Sequence, residues 1–182
     1  MLKDKKRICV FCGSSLGNDK LIQKEVIKLA KIISENNLEL VYGGAKIGLM
    51  GLIAKEVQRH GGKVIGIIPK FLNKKEIINK NLSELHLVDS MHERKQKMYD
   101  ISDFFIALPG GIGTLEELFE IITWKQLKLK KVPIGILNIS NYYEKIIEHI
   151  HLMGENNFLH KNFIDKIIVS NNSEDLINSI IN

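Results

Sequence analysis

Apolar positions fall into two rhythms that alternate along the whole chain. Short β-rich runs occupy residues 7–12, 38–42, 63–68, 85–88, 104–108 and 132–137, with a seventh over 167–169. Segments of helical period separate them. Residues 19–37 carry Ile22, Val26, Leu29 and Ile33 on one face. Further helices are expected over 48–60, 90–101, 114–129, 142–153 and 173–181. The runs are continuously apolar, each followed by a helix, the pattern of a parallel sheet covered on both faces. The expectation is one α/β, Rossmann-like domain over residues 1–182, with about seven parallel strands and helices on both faces. Ligands bind such sheets beyond the carboxyl ends of the strands, so the turns there should carry the chemistry. Residues 70–82 are the least patterned and read as a loop or short helix near the site.

Three of those turns are rich in glycine: Gly13-Ser14-Ser15-Leu16-Gly17, Gly43-Gly44-Ala45-Lys46-Ile47-Gly48-Leu49-Met50-Gly51, and Pro109-Gly110-Gly111-Ile112-Gly113-Thr114. Glycine lets the backbone turn sharply and approach an anion, and the following helix offers unpaired amides. Three such turns on one sheet edge point to a phosphate site, with Ser14 and Gly44 among its contacts. A P-loop requires Gly-Lys followed by Ser or Thr, whereas Lys46 precedes Ile47. The dinucleotide fingerprint fails where Glu116 stands in place of the third glycine. A mononucleotide remains.

The turn at Pro109 says more. Thr114 and Glu117 stand three apart at a helix start, which is a capping-box spacing. Glu116 and Glu117 are also adjacent carboxylates beside a loop built for an anion, a costly placement unless they serve ribose hydroxyls or a developing cation. Upstream, Met91-His92-Glu93-Arg94-Lys95-Gln96-Lys97-Met98 opens a helix. Glu93 and Lys97 fit an i,i+4 pair on a solvated face, with Met91, Met98 and Ile101 as the buried stripe. Arg94 could instead clamp a phosphate or stack on a base, and Lys95 could serve as a point charge. His92 reads as structural.

Composition changes little. The 182 residues are 45% hydrophobic and 26% charged, enough for one soluble domain with its own core. The net charge of +5, with Lys3, Lys5, Lys6 and Arg7 at the start, suits solubility or an anionic ligand. Aromatics are only 7%, which speaks against nucleic acid as a partner. No apolar run is long enough for a signal core or a membrane span, so a cytoplasmic protein is expected. Cys9 and Cys12 lie at odd separation on a strand and should face opposite sides as core thiols in a reducing compartment. No metal or cofactor is expected, and His149 and His151 show no ligand pattern.

Pro109-Gly-Gly-Ile-Gly-Thr-Leu-Glu-Glu117 and Met91-His-Glu-Arg-Lys95 together resemble the signatures of the Lonely Guy family. These are phosphoribohydrolases acting on cytokinin riboside 5′-monophosphates and, in many bacterial members, on AMP. The resemblance extends to Gly13-Ser-Ser15, Val41-Tyr-Gly-Gly44, Ile47-Gly-Leu-Met-Gly51, Val64-Ile-Gly-Ile-Ile-Pro69 and Thr123-Trp-Lys-Gln-Leu127. Such proteins have often been labelled lysine decarboxylases, but no pyridoxal-phosphate lysine can be singled out. The resemblance implies hydrolysis of the N-glycosidic bond of a purine nucleoside 5′-monophosphate, and a homodimer. It implies Arg94 and Glu117 as the catalytic pair. It implies Lys95, Glu76, Thr123 and the loop Gly111, Ile112, Gly113, Thr114, Leu115 and Glu116, with Gly110 before it, as substrate contacts. Ile22 departs from the tyrosine of many relatives and leaves base preference open. The competing reading is a nucleotide or molybdenum-cofactor carrier, which would not need Arg94 and Glu117. A single-strand nucleic-acid binder would require steeply salt-dependent binding.

Overall fold

Strand β1 (Arg7–Phe11) sends Ile8 and Val10 to one face of a sheet and Cys9 and Phe11 to the other, as the two-residue period of a strand dictates. The structure is a computed structural model that describes residues 5–72, 77–160, 163 and 165–181. After β1 come α1 (Lys20–Glu35), β2 (Glu39–Tyr42), α2 (Gly48–Arg59), β3 (Val64–Pro69) and β4 (Glu84–Val88). The second half holds α3 (Met91–Ile101), β5 (Phe104–Ala107), α4 (Ile112–Gln126), β6 (Ile134–Leu137), α5 (Glu144–Glu155), β7 (Ile167–Ser170) and α6 (Ser173–Ile181).

The seven strands form one parallel sheet in the order β4-β3-β2-β1-β5-β6-β7. Helices α1, α2 and α6 cover the face that carries Ile8, Leu40 and Ile106. Helices α3, α4 and α5 cover the face that carries Cys9, Val41 and Phe105. Burial on both faces explains why β2, β3, β5 and β6 are buried throughout and why their sequences do not alternate. The two cysteines are free and buried, and they belong to opposite faces. This is the α/β architecture expected from the apolar rhythm.

Helix starts follow local hydrogen bonding, and here three expectations are corrected. The capping box lies on α3, not α4. Ser90 Oγ accepts from the Glu93 amide at 3.0 Å, and Glu93 Oε2 accepts from the Asp89 amide at 2.7 Å. Glu93 therefore closes the cap instead of pairing with Lys97. Helix α4 begins at Ile112 with Gly111 as its N-cap, so Thr114 is already inside the first turn and cannot cap it. The apolar stripe expected on α3 also differs. Met98 is buried, but Met91 is 38% exposed, and the buried companion of Met98 is Arg94. One turn separates Arg94 from Met98, so both lie on the sheet-facing side.

Residues 70–82 begin with a 3₁₀ turn at Lys70–Leu72. Residues 77–79 lie along the second glycine turn, where Lys46 N–H donates to Ile77 O at 2.8 Å and Asn79 N–H to Gly44 O at 3.0 Å. Glu76 lies outside the described residues.

Candidate active site

Chain order reverses between β1 and β5, which are neighbours in the sheet although β2, β3 and β4 lie between them in the chain. Such a reversal opens a crevice at the carboxyl ends of the two strands. The turns that meet there are Gly13 after β1 and Pro109–Gly111 after β5, tied by a Gly13 N–H to Pro109 O bond of 3.1 Å.

The glycine turns are not equivalent. At the start of α2, the Leu49 and Met50 amides donate to Gly13 O at 3.1 and 3.4 Å, so this helix end is spent on holding the first turn. Gly48 has a left-handed backbone (φ 59°), and a Cβ there would run into the backbone of Ser14. Those glycines are explained by packing. At α4 the N-cap is Gly111, which supplies no side-chain cap. A Cβ on Gly111 or Gly113 would meet nothing within 4 Å. Neither has a positive φ. Nothing in the fold excludes a side chain at these two positions, while a bare backbone beside open amides is what an anion requires. The first turn leads into α1, whose start is capped by Asp19 accepting from the Leu21 amide at 2.8 Å, so of the three turns the α4 end is the candidate anion seat.

Arg94 and Glu117 meet beneath it. Arg94 Nη1 donates to Glu117 Oε1 at 2.6 Å, and Arg94 Nε donates to Ile67 O at 3.1 Å. The two residues are 9% and 8% exposed. Gly43 is required here, because a Cβ would overlap the guanidinium of Arg94 and crowd the sulfur of Met50. Burial pushes the Glu117 carboxyl above its ordinary pKa, while the charge and hydrogen bond of Arg94 pull it back. Burial likewise pushes up the Cys12 thiol beside it, with Glu117 adding to the rise. Cys12 lines the site as a buried, free thiol.

The resulting cavity has a volume of about 300 Å³. Glu116, Glu117, Arg94, Ser14 and the Gly111–Thr114 turn line it, together with Met50, Met91 and Ile112, of which Ile112 is 82% exposed. It thus joins a polar floor, an amide rim and a sulfur-rich apolar wall, a combination suited to a phosphorylated sugar bearing a flat base.

The site residues expected from sequence divide clearly. Arg94, Glu117, Glu116, Ser14, Gly111, Ile112, Gly113 and Thr114 come together around the cavity. Gly110 stands just behind, packed against Thr114, and Leu115 packs on the core instead. Lys95 is held between Glu116 and Glu120, the latter at 3.0 Å, and does not line the cavity. Thr123 lies about three turns along α4, with its hydroxyl donating to Phe119 O at 2.7 Å. Gly44 turns the chain at φ 76° beside the lining residue Gly43. Sequence reasoning assigned no contact to Met50, Met91 or Gly43, although each stands within one of the motifs and lines the cavity. The run Gly43-Gly44 was the available signal for the last. No group of three or more metal-ligating side chains occurs among the described residues.

Comparison with known proteins bears on this arrangement. A family model described as possible lysine decarboxylase matches residues 50–180. The chain is 44% identical over 175 residues to a cytokinin riboside 5′-monophosphate phosphoribohydrolase of Arabidopsis thaliana, covering 96% of this chain and 82% of that protein. It is 43% identical over 175 residues to a probable cytokinin riboside 5′-monophosphate phosphoribohydrolase of Oryza sativa subsp. japonica, covering 96% and 72%. Among solved structures, the molybdenum cofactor binding protein of Rippkaea orientalis superposes with a TM-score of 0.73 at 20% identity, over 99% of both chains. The molybdenum cofactor carrier protein of Chlamydomonas reinhardtii gives 0.71 at 16% identity, over 97% of this chain and 96% of that one. The two structures share the fold; the two sequence relatives share far more. Identity at that level over nearly the whole length, with the family model matching most of it, shows that the chain belongs to the Lonely Guy (LOG) family.

Proposed function

We propose that this protein is an N-glycosidase that hydrolyses a purine nucleoside 5′-monophosphate, either a cytokinin riboside 5′-monophosphate or AMP, to the free base and ribose 5-phosphate. The observation that carries the reading is a buried carboxylate, Glu117, held by Arg94 at 2.6 Å in a cavity rimmed by uncapped amides. The amides at Gly111–Gly113 take the 5′-phosphate, and Glu117 faces the sugar. As the ribosyl–nitrogen bond breaks, positive charge grows on the sugar, as in glycoside hydrolysis. An ionised Glu117 offsets that charge and orients the ribose hydroxyls or the attacking water. Water adds its oxygen to the anomeric carbon, and the base departs with a proton. Arg94 keeps Glu117 ionised against burial; as a guanidinium it does not itself donate a proton. The role of Lys95 is to fix Glu116 and Glu120 across α3 and α4. The assembly in this reading is a homodimer in the cytoplasm, and sedimentation of the pure protein tests the former.

The decisive assay incubates the protein with AMP and, separately, with isopentenyl-AMP, and measures free base and ribose 5-phosphate. Release from at least one is expected, and the ratio of the two rates identifies the preferred base. Tight binding of both without release would replace the hydrolase by a carrier.

A further inference from the structure

The turn that presents the amides of α4 is gripped through three successive carbonyls. Leu108 O accepts from the Tyr143 hydroxyl at 2.6 Å, Pro109 O from the Gly13 amide at 3.1 Å, and Gly110 O from the Tyr142 hydroxyl at 2.6 Å. Two adjacent tyrosines thus reach back across about thirty residues of chain to one turn. Their rings meet edge to face at 5.0 Å, which fixes each against the other. Their backbone is set by Asn138, whose Oδ1 accepts from the Tyr143 amide at 2.7 Å and whose Nδ2 donates to Glu144 at 2.9 Å. Between them, Ser140 and Asn141 both hold left-handed backbone, at φ 53° and 57°. That conformation is unfavourable for side-chain-bearing residues and is kept here to deliver the tyrosines.

The peptide plane gives the arrangement a consequence for the site. In a planar trans peptide the carbonyl of one residue and the amide of the next point in opposite directions. Holding Gly110 C=O against Tyr142 therefore turns Gly111 N–H away from Tyr142 and fixes its direction. Gly111 and Gly110 have the freest backbones in the loop, so without an anchor this plane could rotate. Tyr143 is 1% exposed and belongs to the core, whereas Tyr142 is half exposed and contributes little to it. Tyr142 thus reaches the turn from the solvent side, where its hydroxyl holds the Gly110 carbonyl.

We infer that Tyr142 is a positioning residue for phosphate recognition, aiming the Gly111 amide through the carbonyl of Gly110 while Tyr143 anchors the same turn from the core. The inference rests on the nucleotide reading of the cavity. It concerns binding of the phosphate and not the bond-breaking step, so it separates from the role of Glu117.

The test is Tyr142→Phe, which keeps the ring and its contact with Tyr143 and removes only the hydroxyl. Affinity for ribose 5-phosphate, measured by calorimetry, and KM for AMP should both weaken roughly 5- to 10-fold, because the amide then points at the phosphate only part of the time. The kcat for AMP should stay at the wild-type value, and the thermal midpoint should fall by no more than the loss of one half-exposed hydrogen bond allows. An unchanged KM and affinity, or a loss that falls equally on kcat or on the midpoint, would overturn the positioning role. Wild-type protein that binds ribose 5-phosphate but releases no base from AMP would overturn the hydrolase alone and leave the calorimetric comparison valid. Wild-type protein that binds neither molecule would overturn both.

Discussion

At the scale of single residues, Glu117 is held between two opposed influences. Burial favours its neutral form, and the guanidinium of Arg94 favours the charged one, with burial the larger. A carboxylate that must be ionised to act then loses activity at a higher pH than an ordinary glutamate would, because protonation sets in sooner as pH falls. The acidic limb of kcat/KM should accordingly lie above the usual carboxylate range. Replacing Arg94 by Gln removes the influence that lowers the pKa, so the limb should move further up in pH while nucleotide affinity also falls. A pH–rate profile that stays in place, or shifts downward, would show that Arg94 does not set the charge of Glu117. The types and spacing of Arg94 and Glu117 were legible in the sequence through two short motifs. The resemblance named them together, but their direct ion pair was not legible, since α3 and α4 are brought together only by the sheet they both cover.

At the scale of elements, two helices that both follow glycine turns have opposite fates. The amides that open α2 are consumed by Gly13 O, and those that open α4 have only a glycine as cap. A sequence shows glycine in both places and cannot tell a glycine needed for packing from one needed for access. The same ambiguity misplaced the capping box: Ser90-x-x-Glu93 and Thr114-x-x-Glu117 fit one pattern, and only the position of Gly111 at the true start of α4 separates them. The difference predicts contrasting glycine variants. Gly113→Ala lies within a helix, where alanine is favoured by about 1 kcal/mol, and meets no neighbour, so stability should hold or rise. Its affinity for AMP should nonetheless fall roughly 10-fold, because the methyl group covers the anion seat. Gly48→Ala, at positive φ and against the Ser14 backbone, should lower the thermal midpoint first. Equal behaviour of the two variants in both melting and titration would contradict the assignment of α4 as the phosphate end.

At the scale of the whole molecule, the apolar rhythm identified all seven strands to within a few residues but carried no information on their order. Continuous apolar runs look alike whether they lie at the centre or the edge of a sheet. It is the order that matters for function, because the reversal between β1 and β5 places Gly13 beside Pro109 and opens the crevice. The opposite end of the sheet is closed by ion pairs, with Glu39 between Arg7 at 2.9 Å and Lys63 at 3.4 Å, and Lys63 continuing to Glu84 at 2.6 Å. Charge is thus spent on closure at one end and on chemistry at the other. The most direct measurement is single-turnover release of base from AMP by Glu117→Gln at saturating nucleotide. Release should slow by at least about 100-fold while AMP still binds, since the amide keeps the shape and loses the charge. Release at the wild-type rate would contradict the account.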